Sequence, residues 1–323
     1  MENSFPPSAQ KPVIAVAGAT GDLGTRLTNT FLSPELHDRL SGFVSLARRH
    51  TPSTEKWKGL GAEVRIIDNE SDDNDLVMAL DGVDVLVNAI STAGAILRDK
   101  LANVLPKTSV KLYFPSEFGV DHTLHDFNIP EWDGKKKHYE LSKQAVQGSD
   151  IQVCRMFVGL FLHSGIAPWY GFHTSKNVYQ AIGGFDQSIS YTEISDIARV
   201  VCGLAEQAVR GKKVPEELRI AGTHASVREI AQIMTAAGAG DIEIKSVELE
   251  GYRDKALGRE YQDRGAIVCL QFLMGDGRID YRPKDEGGLG NDNDVVNPGQ
   301  KNFSWKTVQG LAHETRGRPN SDA

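Results

Sequence analysis

Cysteine is scarce in this sequence. Its three copies, Cys154, Cys202 and Cys269, stand far apart along 323 residues. An odd and scattered set excludes a disulfide framework and fits a reducing compartment. Long apolar runs are missing too: nowhere do about 18 apolar residues follow one another, so no membrane span is expected. Basic residues are the minority, 36 Lys and Arg against 43 Asp and Glu, for a net charge of -7. That balance favours solubility and leaves no basic footprint for direct nucleic-acid contact. The opening MENSFPPSAQKP has neither the basic start nor the apolar stretch of a signal peptide. Residues 1–10 are therefore expected to form a disordered leader, and the location to be cytoplasmic. On that expectation the sequon Asn302-Phe303-Ser304 carries no weight. No internal repeat is visible.

What is present is an ordinary globular composition, 40% apolar and 24% charged. The length suits one large domain or a domain with a lobe. Short apolar runs at 13–17, 42–47, 63–67, 83–90, 110–114 and 151–156 alternate with helical patterns near 25–32, 73–80, 93–105 and 135–147. Near-continuous apolar strands between helices predict βαβ units around a parallel sheet. The fold class is α/β: a Rossmann doubly wound sheet over 11–157, then a smaller C-terminal lobe over 158–323 with some elements returning to the sheet. In the lobe, 194–209 reads as a strong amphipathic helix, 218–222 as a strand, and 226–238 as a helix. Ser226 and Glu229 have the spacing of a capping box. A polar loop over 283–302, a last helix at 303–315 and a frayed tail complete the reading.

The strongest motif is Gly18-Ala19-Thr20-Gly21-Asp22-Leu23-Gly24, directly after a strand and opening a helix. In that setting the first glycine permits the turn, the second lets a pyrophosphate approach the backbone, and the third lets helix and strand pack. Helix amides then hold the phosphate charge. Gly18, Thr20, Gly21, Asp22, Leu23 and Gly24 are the expected cofactor contacts. An NAD site ends its second strand in an acid that binds the ribose hydroxyls. Here that strand ends Ala47-Arg48-Arg49. Guanidinium groups suit a 2′-phosphate, so NADPH is expected, with Arg48 first and Arg49 second. Asp68, ending the third strand, is either an adenine contact or a turn residue. Asn88 and Ala89 end the fourth strand, at the edge where doubly wound sheets bind ligands, and are expected to line the cofactor by packing.

GATGDLG, the strand VDVLVNAI, the segment FPSEFGVD (114–121) and a lysine-rich helix after Trp132-Asp133 resemble the isoflavone reductase-like and NmrA-like group. These are atypical members of the short-chain dehydrogenase/reductase superfamily. The resemblance covers about 11–210, and EWDGKKKH and PWYGFH look most like fungal members. It implies NADPH-dependent reduction of a C=C or C=O bond in a small, aromatic or secondary-metabolite substrate. It also implies a lysine on the helix after the PSEFG segment as acid and base, and a serine, Ser116, that helps polarise the substrate. The family further contains NmrA-like regulators, which bind the dinucleotide as redox sensors without turnover.

The lysine stays open among neighbours. Counting from Trp132 favours Lys135, and helical spacing to Tyr139 favours Lys136. Tyr139 and Lys143 form the superfamily's usual Tyr-x-x-x-Lys pair, but Lys143 stands only eight residues before Ile151. A buried lysine loses solvation of its charged form, so its pKa falls and it can exchange a proton near neutral pH. Phe157, after the sixth strand, is expected near the nicotinamide, and Trp169, Tyr170 and Phe172 as an aromatic pocket. His122 and His125 lack a clear third ligand, so no metal is expected. The expected partners are a small-molecule substrate and, at most, a second copy of the chain, as a monomer or homodimer.

Overall fold

The structure is a computed structural model describing residues 10–258 and 265–320. All of the expected leader except Gln10 lies outside the described residues. The chain divides into two compact units, one of Met1–Glu117, Asp133–Arg155 and Ile197–Glu217, the other of Phe118–Trp132, Met156–Asp196 and Leu218–Ala323. A division at 157 differs from this in residues 118–132, which belong to the second unit, while most of the helix Ile194–Val209 returns to the first, as a return of some later elements would have it. A linear reading follows chain order, whereas compactness follows non-local packing.

The first unit holds six strands: β1 (Val13–Ala17), β2 (Gly42–Ala47), β3 (Glu63–Ile66), β4 (Val85–Asn88), β5 (Leu112–Phe114) and β6 (Gln152–Val153). Their order is β3-β2-β1-β4-β5-β6, all parallel. That is the order of dinucleotide-binding Rossmann sheets, which reverses direction beside β1. The central strands are buried on both faces, as helices on either side require. β3, at the edge, leaves Glu63 and Ile66 exposed. Ala17 lies opposite both Leu46 and Asn88. The register therefore brings the carboxyl ends of β1, β2 and β4 level, with Gly18, Arg48 and Ala89 emerging at one edge. Leu86, Leu97, Leu101, Tyr113, Tyr139 and Val153 belong to this unit's core.

The second unit contains two three-stranded sheets. One orders Glu243–Val247, Val178–Ile182 and Phe172–His173, the other Thr223–Ala225, Ile189–Thr192 and Leu160–Phe161. Helix Val227–Met234 starts at Ser226 with the expected capping box: Ser226 Oγ accepts from Glu229 N, and Glu229 accepts from Ser226 N. The tail is not frayed through 320. Arg318 donates to the Ala239 carbonyl, and Asn320 donates to those of His163 and Ile166. The stretch 283–302 also carries short helical turns and a buried Asn297, whose side chain bonds Phe303 O and Asn302 N. Composition suggested loops because polar side chains here tie down backbone, not solvent. Among the described residues no helix is long and apolar enough to cross a membrane.

Candidate active site

The glycine turn is built as its sequence suggests. Gly18 has φ +76°, and a Cβ there would stand 3.0 Å from the carbonyl carbon and oxygen of Ala89 and from Ile90 N. Only glycine fits both the angle and the wall. Gly21 N donates to Gly18 O at 2.9 Å and closes the turn. A Cβ on Gly24 would collide with the Gly18 carbonyl, so the helix Asp22–Phe31 packs this close only without one. Gly21 caps that helix with no side chain, leaving the first-turn amides to bond something else. Thr20, Gly21 and Asp22 are exposed and Leu23 half-buried, so the cradle faces outward. The Asp22 carboxylate is drawn aside to Arg26, at 3.3 Å. This cradle fits a dinucleotide diphosphate: open amides, a helix dipole and no side chain in the way.

Arg48 and Arg49 follow β2 and are both exposed, while the adjacent His50 leans on Glu55 at 3.4 Å. Asp68 is a turn residue. Its carboxylate Oδ1 accepts from Glu70 N at 2.9 Å and Ser71 N at 3.1 Å. Asn88 has no exposed surface, so a ligand cannot touch it without rearrangement. It stands behind the wall, not on it, and Ala89, half-buried, faces Gly18.

After β5 the chain gives Ser116, half-buried, and Glu117, 1% exposed. Lys135 and Lys136 are both half-buried, and the three lysines differ in their surroundings. Lys137 is exposed, and Lys136 pairs with Asp133 at 3.6 Å. The Lys135 pKa falls: burial lowers it, Glu117 attracts its charge and acts the other way, and Arg98 repels it. Arg98, itself 4% exposed, reaches Gly134 O at 3.3 Å, beside Lys135. Sequence reasoning missed Arg98 because a single arginine in a helix carries no motif. It also missed the linked group of buried Asn88, Tyr113 and His138 with half-exposed Asp99. The only trace of that group is His138 three residues after Lys135, on the same helical face.

The pair Tyr139 and Lys143 has other duties. Tyr139 lies in the core with the Arg155 guanidinium 4.2 Å from its ring centre. Lys143 pairs with Glu216 at 2.6 Å, in a groove it shares with Lys111, Ile151 and Gln152. Those residues lie at or before the starts of β5 and β6, the edge away from the glycine turn. Lys143→Ala should therefore leave turnover within about twofold, and a loss of a hundredfold in a steady-state assay would restore the pair.

In the second unit, Phe157 is wholly buried with Ala221 and Tyr281, its ring edge-on to His122. Having no accessible surface, it is a core ring and not a ready cofactor contact. His125 stacks on Phe127, 5.0 Å between centres, and contacts Trp132. Of the expected aromatic pocket, Phe172 is core, Tyr170 is half-buried, and Trp169 is 45% exposed.

Comparison with known proteins agrees with this architecture. The family model described as the NmrA-like family matches residues 10–276. A curated relative from Gibberella moniliformis, an NmrA-like family domain-containing oxidoreductase, is 26% identical over 233 residues, covering 68% of this chain and 75% of that protein. Among solved structures, isoflavone reductase superposes with a TM-score of 0.73 at 14% identity, over 94% of this chain and 99% of that one. The leucoanthocyanidin reductase–NADPH complex from Vitis vinifera superposes with a TM-score of 0.69 at 16% identity, over the same shares. These two likenesses establish the shared fold, and the family match reaches through both units: the chain belongs to the NmrA-like family.

Proposed function

We propose that the protein is an NADPH-dependent oxidoreductase that reduces a C=C or C=O bond of a small, aromatic organic substrate. The observation that carries this reading is Lys135, a lysine whose pKa is depressed by burial against the attraction of Glu117, in the unit that presents the glycine turn. A merely cofactor-binding module has no use for a desolvated ammonium, which is costly to keep. The relative named as an oxidoreductase and the reductase complexed with NADPH support the same reading.

The diphosphate would rest on the amides of Thr20 to Gly24, and the 2′-phosphate on Arg48 with Arg49 beside it. When bound, the reduced nicotinamide supplies a hydride. Lys135 Nζ supplies the proton that completes addition across the double bond, directly or through a water. Ser116 orients the substrate's polar group by hydrogen bonding. Ala89 and the Gly18 turn keep the backbone close enough for the phosphates to reach.

The test is direct. NADPH should bind and then be consumed, followed by its absorbance, against a panel of aromatic enones and ketones. Binding without consumption across the whole panel would assign the protein to the redox sensors instead. The pH dependence has a definite sign. Lys135 donates only while protonated, and its pKa lies below the ordinary 10.5. Turnover in the reductive direction should thus fall as pH rises through that lowered value, earlier than an ordinary lysine allows. A rate that stays flat up to the usual lysine range would remove Lys135 from the proton's path.

A further inference from the structure

Behind the glycine turn runs a buried chain of polar side chains within the first unit. Ile90 N donates to Asn88 Oδ1 at 3.0 Å, and Asn88 Nδ2 donates to the Tyr113 hydroxyl at 2.8 Å. That hydroxyl lies 2.8 Å from His138 Nε2, and His138 Nδ1 lies 2.7 Å from Asp99 Oδ1. Asn88, Tyr113 and His138 are at most 2% exposed, while the Asp99 side chain is 42% exposed. Chemistry fixes the direction of every link. A backbone N–H only donates, so the Asn88 oxygen must face Ile90 and its amide nitrogen must face Tyr113. At the far end the Asp99 carboxylate only accepts, so Nδ1 is the donor there; in the neutral ring Nε2 is then an acceptor and the Tyr113 hydroxyl donates to it. His138 then carries its proton on Nδ1 and gives it to Asp99. Burial and the nearby Arg98 push the His138 pKa down to about 4, which keeps the ring in this neutral form at neutral pH.

The chain ends on a meaningful peptide bond. The Ala89–Ile90 peptide, whose N–H Asn88 holds, is the wall that a Cβ on Gly18 would meet at 3.0 Å. At the other end, His138 sits one helical turn after Lys135, and Arg98 bonds both Asp99 Oδ1 and Gly134 O at 3.3 Å.

We propose that Asp99, His138 and Tyr113 are positioning residues: their one-way hydrogen-bond chain fixes the Ala89–Ile90 peptide against Gly18 and so sets the geometry of the dinucleotide turn from a half-exposed carboxylate on the helix Ala95–Val104. For its functional consequence the proposal rests on the reading that this turn binds NADPH. Its structural content can be measured without any cofactor.

The experiment uses the full chain and four variants: Asp99→Ala, Asp99→Asn, Tyr113→Phe and, as a control on the helix Pro130–Ala145 that carries His138, Tyr139→Phe. Nitrogen-15 spectra of the free protein should report His138 protonated on Nδ1. Asp99→Ala and Tyr113→Phe should move the backbone amides of Ile90 and Gly18 and weaken NADPH, measured by calorimetry, roughly three- to thirtyfold. Asp99→Asn keeps an acceptor oxygen and should stay within about twofold of the wild type, as should Tyr139→Phe. A merely structural role would lower the melting temperature but spare affinity and would show no rescue by asparagine. If Tyr113→Phe does not fold, Asp99→Ala decides alone. If the wild type does not bind NADPH, the functional reading fails, and the amide shifts still decide the chain. Unmoved amides at Ile90 and Gly18, an Nε2-protonated His138, or wild-type affinity in an NADPH-binding protein carrying Asp99→Ala overturns the proposal.

Discussion

Replacing Lys135 by methionine is expected to lower turnover by about two to four orders of magnitude, the usual worth of a positioned acid or base. NADPH affinity should stay within about twofold, because the diphosphate and the 2′-phosphate are held elsewhere. Lys136→Met should leave turnover within about threefold, since that lysine is engaged with Asp133 at its own helix start. The stability effect points the opposite way to the activity effect. The Lys135 pKa is lowered overall, so burial and Arg98 together cost its charged form more than Glu117 returns. The folded state therefore holds this proton less tightly than the unfolded chain, and the penalty is fully present below the lowered pKa and fades as pH rises towards 10.5. At neutral pH, Lys135→Met should melt no lower than the wild type despite losing function, the usual trade where a site is strained for chemistry. Steady-state rates, calorimetric affinity and thermal melts on the two variants separate the cases. Should Lys136→Met, and not Lys135→Met, abolish turnover, burial would have pointed to the wrong neighbour.

That lysine choice shows where the sequence stops being readable. The glycine motif was legible because each glycine answers a local demand: Gly18 a positive φ, Gly24 the close approach of helix to turn. The parallel sheet followed from apolar runs that alternate with helices. Three consecutive lysines carry no such signature. What distinguishes Lys135 is desolvation and the charges of Glu117, beyond the end of another strand, and of Arg98, on another helix. Neither relation leaves a spacing in the chain. Asn88 shows the same limit from the other side. Its place at the end of β4 suggested a cofactor contact, yet it has no surface, and its partner Tyr113, with His138 beyond, meets it only in three dimensions. Phe157 likewise follows a strand where a nicotinamide contact was expected, but it is sealed among Ala221 and Tyr281. The second unit was least legible, because its strands are short and pair across long sequence intervals, as Val178–Ile182 does with Glu243–Val247.

Arg48→Ala should weaken NADPH roughly 10- to 100-fold, the loss of one or two hydrogen bonds to a charged group at about 1.5–3 kcal/mol in all. NADH, which has no 2′-phosphate, should bind the variant about as well as it binds the wild type. The discrimination is a difference between two affinities, so it tests the assignment more sharply than either value. Arg48 and Arg49 are both exposed, and exposed charges are screened. The loss should accordingly shrink as salt is added, whereas a loss caused by a deformed turn would not. Arg49→Ala should show a smaller effect with the same salt dependence, because the residue nearer the end of β2 is better placed beside the ribose. Arg48→Asp puts at this strand end the acid that NAD sites use for ribose hydroxyls, and it should tilt preference towards NADH. Calorimetry with both nucleotides at two ionic strengths distinguishes these outcomes. Equal losses for NADPH and NADH would mean that Arg48 supports the loop and that the 2′-phosphate has no guanidinium partner there. The second strand's missing acid would then need another explanation.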